Sequence, residues 1–496
     1  MKKLFVILLS AVTVNISAQS IIHPSVGAKS TPEGGAVSLT LATKHVNYPR
    51  CPQQYSDVYI NSPKSANIHP DGTKYYVNSL EGCCTVVYDM ESHKRLKVIR
   101  YDFKDGKDDA LWSKPSDFYP FTHYHNNLNT FQGKPVEATF SHGGRYLWIP
   151  FYRRTFDLNA QDPSAIAIID TRTDEIVKLM ETGPLPKMVA CSHDGRHVAI
   201  THWGNNTVGL VNIESLNPDE WFHEKLLVVD YVLPLNFSLT QSVDRDNNSG
   251  YALRGTVFTP DDRYLLVGCM GGNGGIAVID MKTQEYLGRV LGMMPNVRHL
   301  VIRDGYLYLS INKAGYVQRI KLDKFMEAAH NISGKTTTLQ GWESCQVGAG
   351  ARTIEISPSG HFVFAACNLA SKLYVMDTRS MKVVCSIDVD SYPVGLDISN
   401  DGRYVIVTSQ GRSNGGGNAV NIYEVNYEEP EPVLKNTDGA AVLNQGGTPD
   451  STIQAALPGT VSDSPGNATF LYVGGAAAAA ILAFCAFRFF RKRQSA

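Results

Sequence analysis

The chain has 496 residues, a formal net charge of -1 and a hydrophobic fraction of 43%. That length and apolar content allow one large ring or several small domains, each with a core to bury. A charged fraction of 19% gives no global basic field to hold nucleic acid, so any electrostatic argument is local.

Residues 1–18 read as a secretory signal peptide. Lys2 and Lys3 form its positive start, residues 4–14 are mostly apolar, and Ile16 and Ala18 suit the positions before cleavage at Gln19. Residues 19–56 follow as an N-terminal extension. Residues 57–425 are self-similar. The recurring unit is a short apolar strand, a polar turn, a Tyr- or Val-rich strand, a Gly/Asn loop and an alternating strand ending near Asp. Seven copies align on turn residues Gly72, Gly144, Gly195, Asp262, Gly305, Gly360 and Gly402. Glycine suits the positive φ of a tight hairpin. A fourth strand follows the third, as in residues 175–180 and 382–387. The last copy runs out after its third strand, and residues 57–61 read as the orphan fourth strand that completes it. Two insertions, residues 101–133 and 217–252, fall between outer strands and the next inner strands.

Four antiparallel strands per unit and seven units predict an all-β, seven-bladed β-propeller with four-stranded blades. Beyond it, residues 426–469 are rich in Glu, Pro, Gly, Asn and Thr and read as a flexible stalk. Residues 470–487 carry no charge and read as one transmembrane helix. Arg488, Arg491, Lys492 and Arg493 lie in the basic tail, residues 488–496. This places the tail in the cytoplasm and the propeller outside the cytoplasmic membrane. Leu457, Pro458, Gly459 and Thr460 resemble a sortase-type signal, but Val461 stands where glycine is usual. Of nine cysteines, Cys485 lies in the anchor; Cys83 or Cys84 could pair with Cys51.

One column of the repeat carries charge. Eight residues before the turn stand Lys64, Val136, Lys187, Arg254, Arg298, Arg352 and Val394, with one gap allowed in the fifth copy. Five of these seven are basic, although Lys and Arg are only 46 of 496 residues. The position lies where each linker enters the innermost strand, so the column converges on one mouth of the central channel. Mutually repelling cations there would be relieved by an anionic ligand. Arginine forks suit carboxylate or phosphate. Loops on the same face add Arg153, His202, Trp203 and Arg412, with Trp203 as a stacking platform. A solvated rim paired with Glu137, Glu355 or Asp397 is the plainer alternative. His123 and His125 could share a metal, but no third ligand has an obvious spacing.

The repeat resembles the YVTN family of β-propellers. Ser357, Pro358, Ser359 and Gly360, with Tyr374, Val375, Met376 and Asp377, carry the resemblance best. It implies the fold across most of the exported chain and leaves function open, since similar rings include binding proteins, lactonases and quinoprotein dehydrogenases. The expected function is non-enzymatic capture of an anionic small molecule or a protein partner at the cationic mouth, with no cofactor specified. Two alternatives stand beside it. One is an extracytoplasmic enzyme of lactonase-like hydrolase or quinone-cofactor oxidoreductase type. The other is capture of a large cofactor such as a corrinoid for a transporter.

Overall fold

The computed structural model describes residues 21–432, apart from residues 34, 124, 412–414 and 430. The expected signal peptide, sortase-like segment, transmembrane helix and basic tail lie outside the described residues, as does nearly all of the stalk. No helix among the described residues is long and apolar enough to cross a membrane.

Seven small antiparallel sheets form the ring. Their innermost strands are Pro63–Ile68, Thr139–Ser141, Pro186–Cys191, Leu253–Phe258, Val297–Arg303, Ala351–Ile356 and Pro393–Ile398. In blades one to six, successive strands pair in chain order from the inside outward. All seven turn residues used for the alignment adopt positive φ, including the non-glycine Asp262 at 53°. The hairpin turn therefore sets the repeat frame.

Apolar side chains pack in seven wedges, one at each boundary between neighbouring blades. The wedge between blades two and three, for example, joins Trp148 and Ile166 to Val198 and Val211. Each sheet is buried on both faces only because the ring continues on either side.

The closing strand differs from the expected one. Val37–Val46 pairs antiparallel with Ala419–Tyr427 and becomes the outermost strand of blade seven. Val37, Leu39 and Leu41 alternate inward against Tyr423 and Val425. Residues 57–61 instead make a turn. The Asp57 carboxylate accepts from the Tyr59 amide at 3.0 Å, the Tyr88 hydroxyl at 2.8 Å and Arg95 at 2.7 Å, which bends the chain away from strand geometry.

The two insertions also need adjustment. Phe222–Val228 is the fourth strand of blade three, so the second excursion is residues 229–252. Blade five has an excursion that its repeat pattern did not reveal. The helix Leu322–His330 leaves after the third strand, and Thr336–Thr338 then adds a parallel fifth strand to blade four. All eight cysteines among the described residues are free thiols, so Cys51 is unpaired with Cys83 or Cys84.

A buried polar lock reinforces closure. Asp390, in the linker into blade seven, is fully buried. It contacts Lys44 of the closing strand at 3.4 Å, Asn421 of the adjacent strand at 2.8 Å and His23 at 2.5 Å. Removing the carboxylate leaves the Lys44 charge buried and unpaired. Asp390→Ala is therefore expected to destabilise the ring by about 3–5 kcal/mol. Urea unfolding of the variant against wild type measures this.

Candidate functional site

The cationic column coincides with a recurring backbone irregularity. In six blades the inner strand carries a register shift at the aligned position: between Pro63 and Ser65, Pro186 and Met188, Leu253 and Thr256, Val297 and His299, Ala351 and Thr353, and Pro393 and Gly395. Lys64, Lys187, Arg254, Arg298, Arg352 and Val394 sit within these bulges. A bulge sets two residues against one and re-aims a side chain. Two positions earlier the backbone is left-handed each time: Ser62, Leu185, Ala252, Asn296, Gly350 and Tyr392. Leucine and tyrosine are costly there, and such strain tends to gather at functional sites.

Polar side chains fix the bulges across blade boundaries. Ser65 donates to the Val136 carbonyl at 2.9 Å, Ser310 to the Arg352 carbonyl at 2.6 Å and Thr353 to the Val394 carbonyl at 2.8 Å. The cation ring is thus held by backbone contacts that do not involve its charged heads.

Those heads are poorly neutralised. Arg254 donates to Glu137. Glu355 lines the same cavity as Arg298 and Arg352. Arg254 and Arg352 are 4% and 5% exposed. Arg254 Nη1, Arg298 Nε and Arg352 Nε are buried donors without an acceptor. A cavity of about 80 Å³ lies between Arg254, Arg298, His299, Arg352 and Glu137.

The electrostatics follow from this crowding. Burial, reinforced by Arg254, lowers Lys187 from 10.5 to about 7. Burial and the Arg352 charge push Lys64 and Arg298 well below their ordinary values. Burial and Arg254 bring Arg352 from 12.5 to about 10. Burial alone would raise Glu137, but Arg254, Lys64, Arg352 and Lys187 together outweigh it and bring it from 4.5 to about 2. Burial and Arg254 hold His299 down at about 4, so it is neutral at pH 7. Farther along the inner face, burial raises Asp397 from 3.8 to about 7 despite amide donors from Ile68 at 2.6 Å and Ile398 at 2.9 Å.

The fold is a seven-bladed β-propeller. Its backbone is similar to the β-propeller domain of Myceliophteria thermophila Cps50 (Swd1), with a TM-score of 0.50 and 12% identity over 74% of this chain and 97% of that one. It is similar also to Kuenenia stuttgartiensis hydrazine synthase, with a TM-score of 0.51 and 11% identity over 78% and 100% of the two chains. At such identity the likeness concerns fold alone. No protein-family model and no curated protein sequence matches the chain.

The loop residues expected at the mouth divide. Trp203 is there: Lys187 Nζ lies 5.4 Å from its ring and 4.1 Å from that of Tyr152, an aromatic partner that the repeat pattern did not expose. His202 is not. It is fully buried within blade three, accepting from the Gly183 amide at 3.0 Å and meeting the Thr207 hydroxyl at 2.7 Å. Burial keeps it neutral, with its pKa lowered to about 3. A Cβ at residue 183 would come within 2.6 Å of its ring, so this pair is a packing device. Arg153 is occupied by its own loop, donating to the carbonyls of Asp157 and Leu158. Arg412 lies outside the described residues. His123 and His125 clasp Asp162 at 3.0 and 2.8 Å, and no metal-binding group of three occurs among the described residues.

Lys187 predicts a pH dependence. The unfolded chain keeps this proton up to about 10.5, whereas the folded chain releases it near 7. Between those values the unfolded state binds more protons, so stability rises with pH. Wild type is expected to gain stability from pH 7 to 10 in anion-free buffer, and Lys187→Met to lose part of that slope in urea titrations.

Proposed function

We propose that this chain is an exported, membrane-anchored propeller of YVTN type that captures a small anion at the cationic mouth of its channel. One observation carries the reading: Arg254, Arg298 and Arg352 line one cavity with Glu137 and Glu355, and Lys64 and Lys187 stand in the same column of the repeat, so cations outnumber carboxylates there. Uncompensated buried charge costs several kcal/mol per ion. A carboxylate or phosphate group offsets that cost and accepts from the orphaned guanidinium donors. Trp203 and Tyr152 flank Lys187 and limit its access to water, which strengthens attraction to an entering anion.

The cavity of about 80 Å³ suits a compact oxyanion or the acidic head of a longer ligand. It does not suit a corrinoid. A lactonase-like reading would rest on His299 as base, because its buried Nδ1 lacks a partner and its ring is neutral. Turnover of a simple γ-lactone, lost in His299→Gln, would favour that reading over capture.

Phosphate, oxalate and citrate added to the full chain are expected to raise its melting temperature, most strongly at low ionic strength. Combined Arg254→Ala, Arg298→Ala and Arg352→Ala substitutions should abolish the increase. They also leave Glu137 without its Arg254 partner, so the anion-free melting temperature of the variant is recorded alongside to separate lost binding from lost stability. Equal stabilisation of wild type and variant by all three anions would refute capture at the mouth.

A further inference from the structure

A second cleft lies at the outer rim, away from the inner strands. The first insertion runs along the outside of blade two, where Trp112 bridges Leu179 and the Ser113 amide donates to the Leu179 carbonyl at 2.8 Å. The Ser116 amide is held by Glu181 at 3.1 Å. Between this strap and the outer strand of blade three opens a cleft of about 760 Å³. That lies within the range of small-molecule sites, and its mixture of aromatic and convergent polar groups is characteristic of them.

Its wall chemistry is selective. Trp112, Phe118, Trp221 and Phe222 bring aromatic surface to the cleft. Phe118 and Phe222 remain 38% and 53% exposed. The charged groups largely satisfy one another. Lys178 pairs with Asp219 at 2.5 Å, and Glu220 accepts from the Ser215 hydroxyl at 2.7 Å. Lys114 and Asp117 add opposite signs. The cleft thus presents no net field comparable to the mouth.

Behind the aromatic surface, Trp112 Nε1, Ser113 Oγ and both His223 ring nitrogens are buried without hydrogen-bond partners. Burial holds His223 neutral, with a pKa lowered to about 4, so its ring offers one donor and one acceptor. At the cleft surface itself Lys114 donates while Asp117, Asp219 and Glu220 accept, and this mixed set matches hydroxyl groups, which both donate and accept. It does not match an anion, which only accepts, or an ammonium ion, which only donates.

We propose that the cleft between the first insertion and blade three binds a neutral oligosaccharide of two or three rings. The C–H faces of the sugar lie on Phe118, Phe222 and Trp112, and its hydroxyls reach the polar groups of the wall. This site is independent of the cationic mouth and carries no chemical step.

The test uses the purified full chain, free of sugar-headed detergent. Maltotriose, cellotriose, mannotriose and tri-N-acetylchitotriose are titrated while tryptophan emission and heat are recorded. At least one is expected to bind at millimolar or lower concentration with a shift in emission. The paired substitution Phe118→Ala and Phe222→Ala should weaken it by about tenfold or more, since both rings are exposed and outside the core. Added phosphate should leave sugar binding unchanged. The proposal is overturned if none of the four sugars binds, if binding survives the paired phenylalanine substitution intact, or if phosphate competes with the sugar. Failure here leaves phosphate binding at the mouth untouched, so the two sites are judged separately.

Discussion

Every blade of this protein depends on having a neighbour on each side, and that requirement makes ring closure the governing constraint. A four-stranded sheet with two apolar faces is not a stable object in water. Here each face is covered by the next sheet, and the last covers the first. The bond between Val37–Val46 and Ala419–Tyr427 therefore supports more than one blade. It determines whether the wedge between blades six and seven, and that between seven and one, are shielded from solvent. Asp390 fastens the same seam with a buried charge that has no alternative partner of comparable quality than Lys44 and its neighbours.

The channel uses the repeat in a different way. The bulge on the inner strands removes one residue per blade from the regular alternation, so that residue can be chosen without regard to the wedges. In five of the six bulged blades it is a cation and in blade seven it is Val394, while blade two carries Val136 at the aligned place. Hydroxyl-to-carbonyl bonds between adjacent blades hold the irregular backbone, leaving the charged heads to face one another. Stability given up at the mouth is recovered in the wedges.

The blade frame and the cation column were legible because both follow from local geometry repeated at fixed spacing. A left-handed turn selects glycine or aspartate, and a bulge at constant offset from that turn leaves a column. The closing strand was not legible by the same route. Val37–Val46 has good alternation, but no hairpin turn ties it to the strand it joins, so the repeat gives it no place. The segment 57–61 has strand-like composition, yet the three bonds to the Asp57 carboxylate turn it. His202 was misplaced by side-chain parity, since it points into blade three while Trp203, the next residue, reaches Lys187. Glu137 stands one residue beyond the column, in the blade whose column residue is Val136, and its pairing with Arg254 needs the ring to be seen whole.

The position of the closing strand also orders assembly. Apart from Thr336–Thr338, which blade five lends to blade four, the strands of blades one to six pair in chain order, so their hairpins can form as soon as their residues exist. The strand at residues 37–46 has no partner until the third strand of blade seven is made, and pairings of such long separation form late. Until then the nascent ring exposes bare sheet edges and two uncovered apolar faces, features that invite association with other chains. Closure hides them in one step and completes the lock at Asp390 as it does so. The seam thus acts as a checkpoint for completeness, because a chain lacking its final blade has no way to bury its first strand.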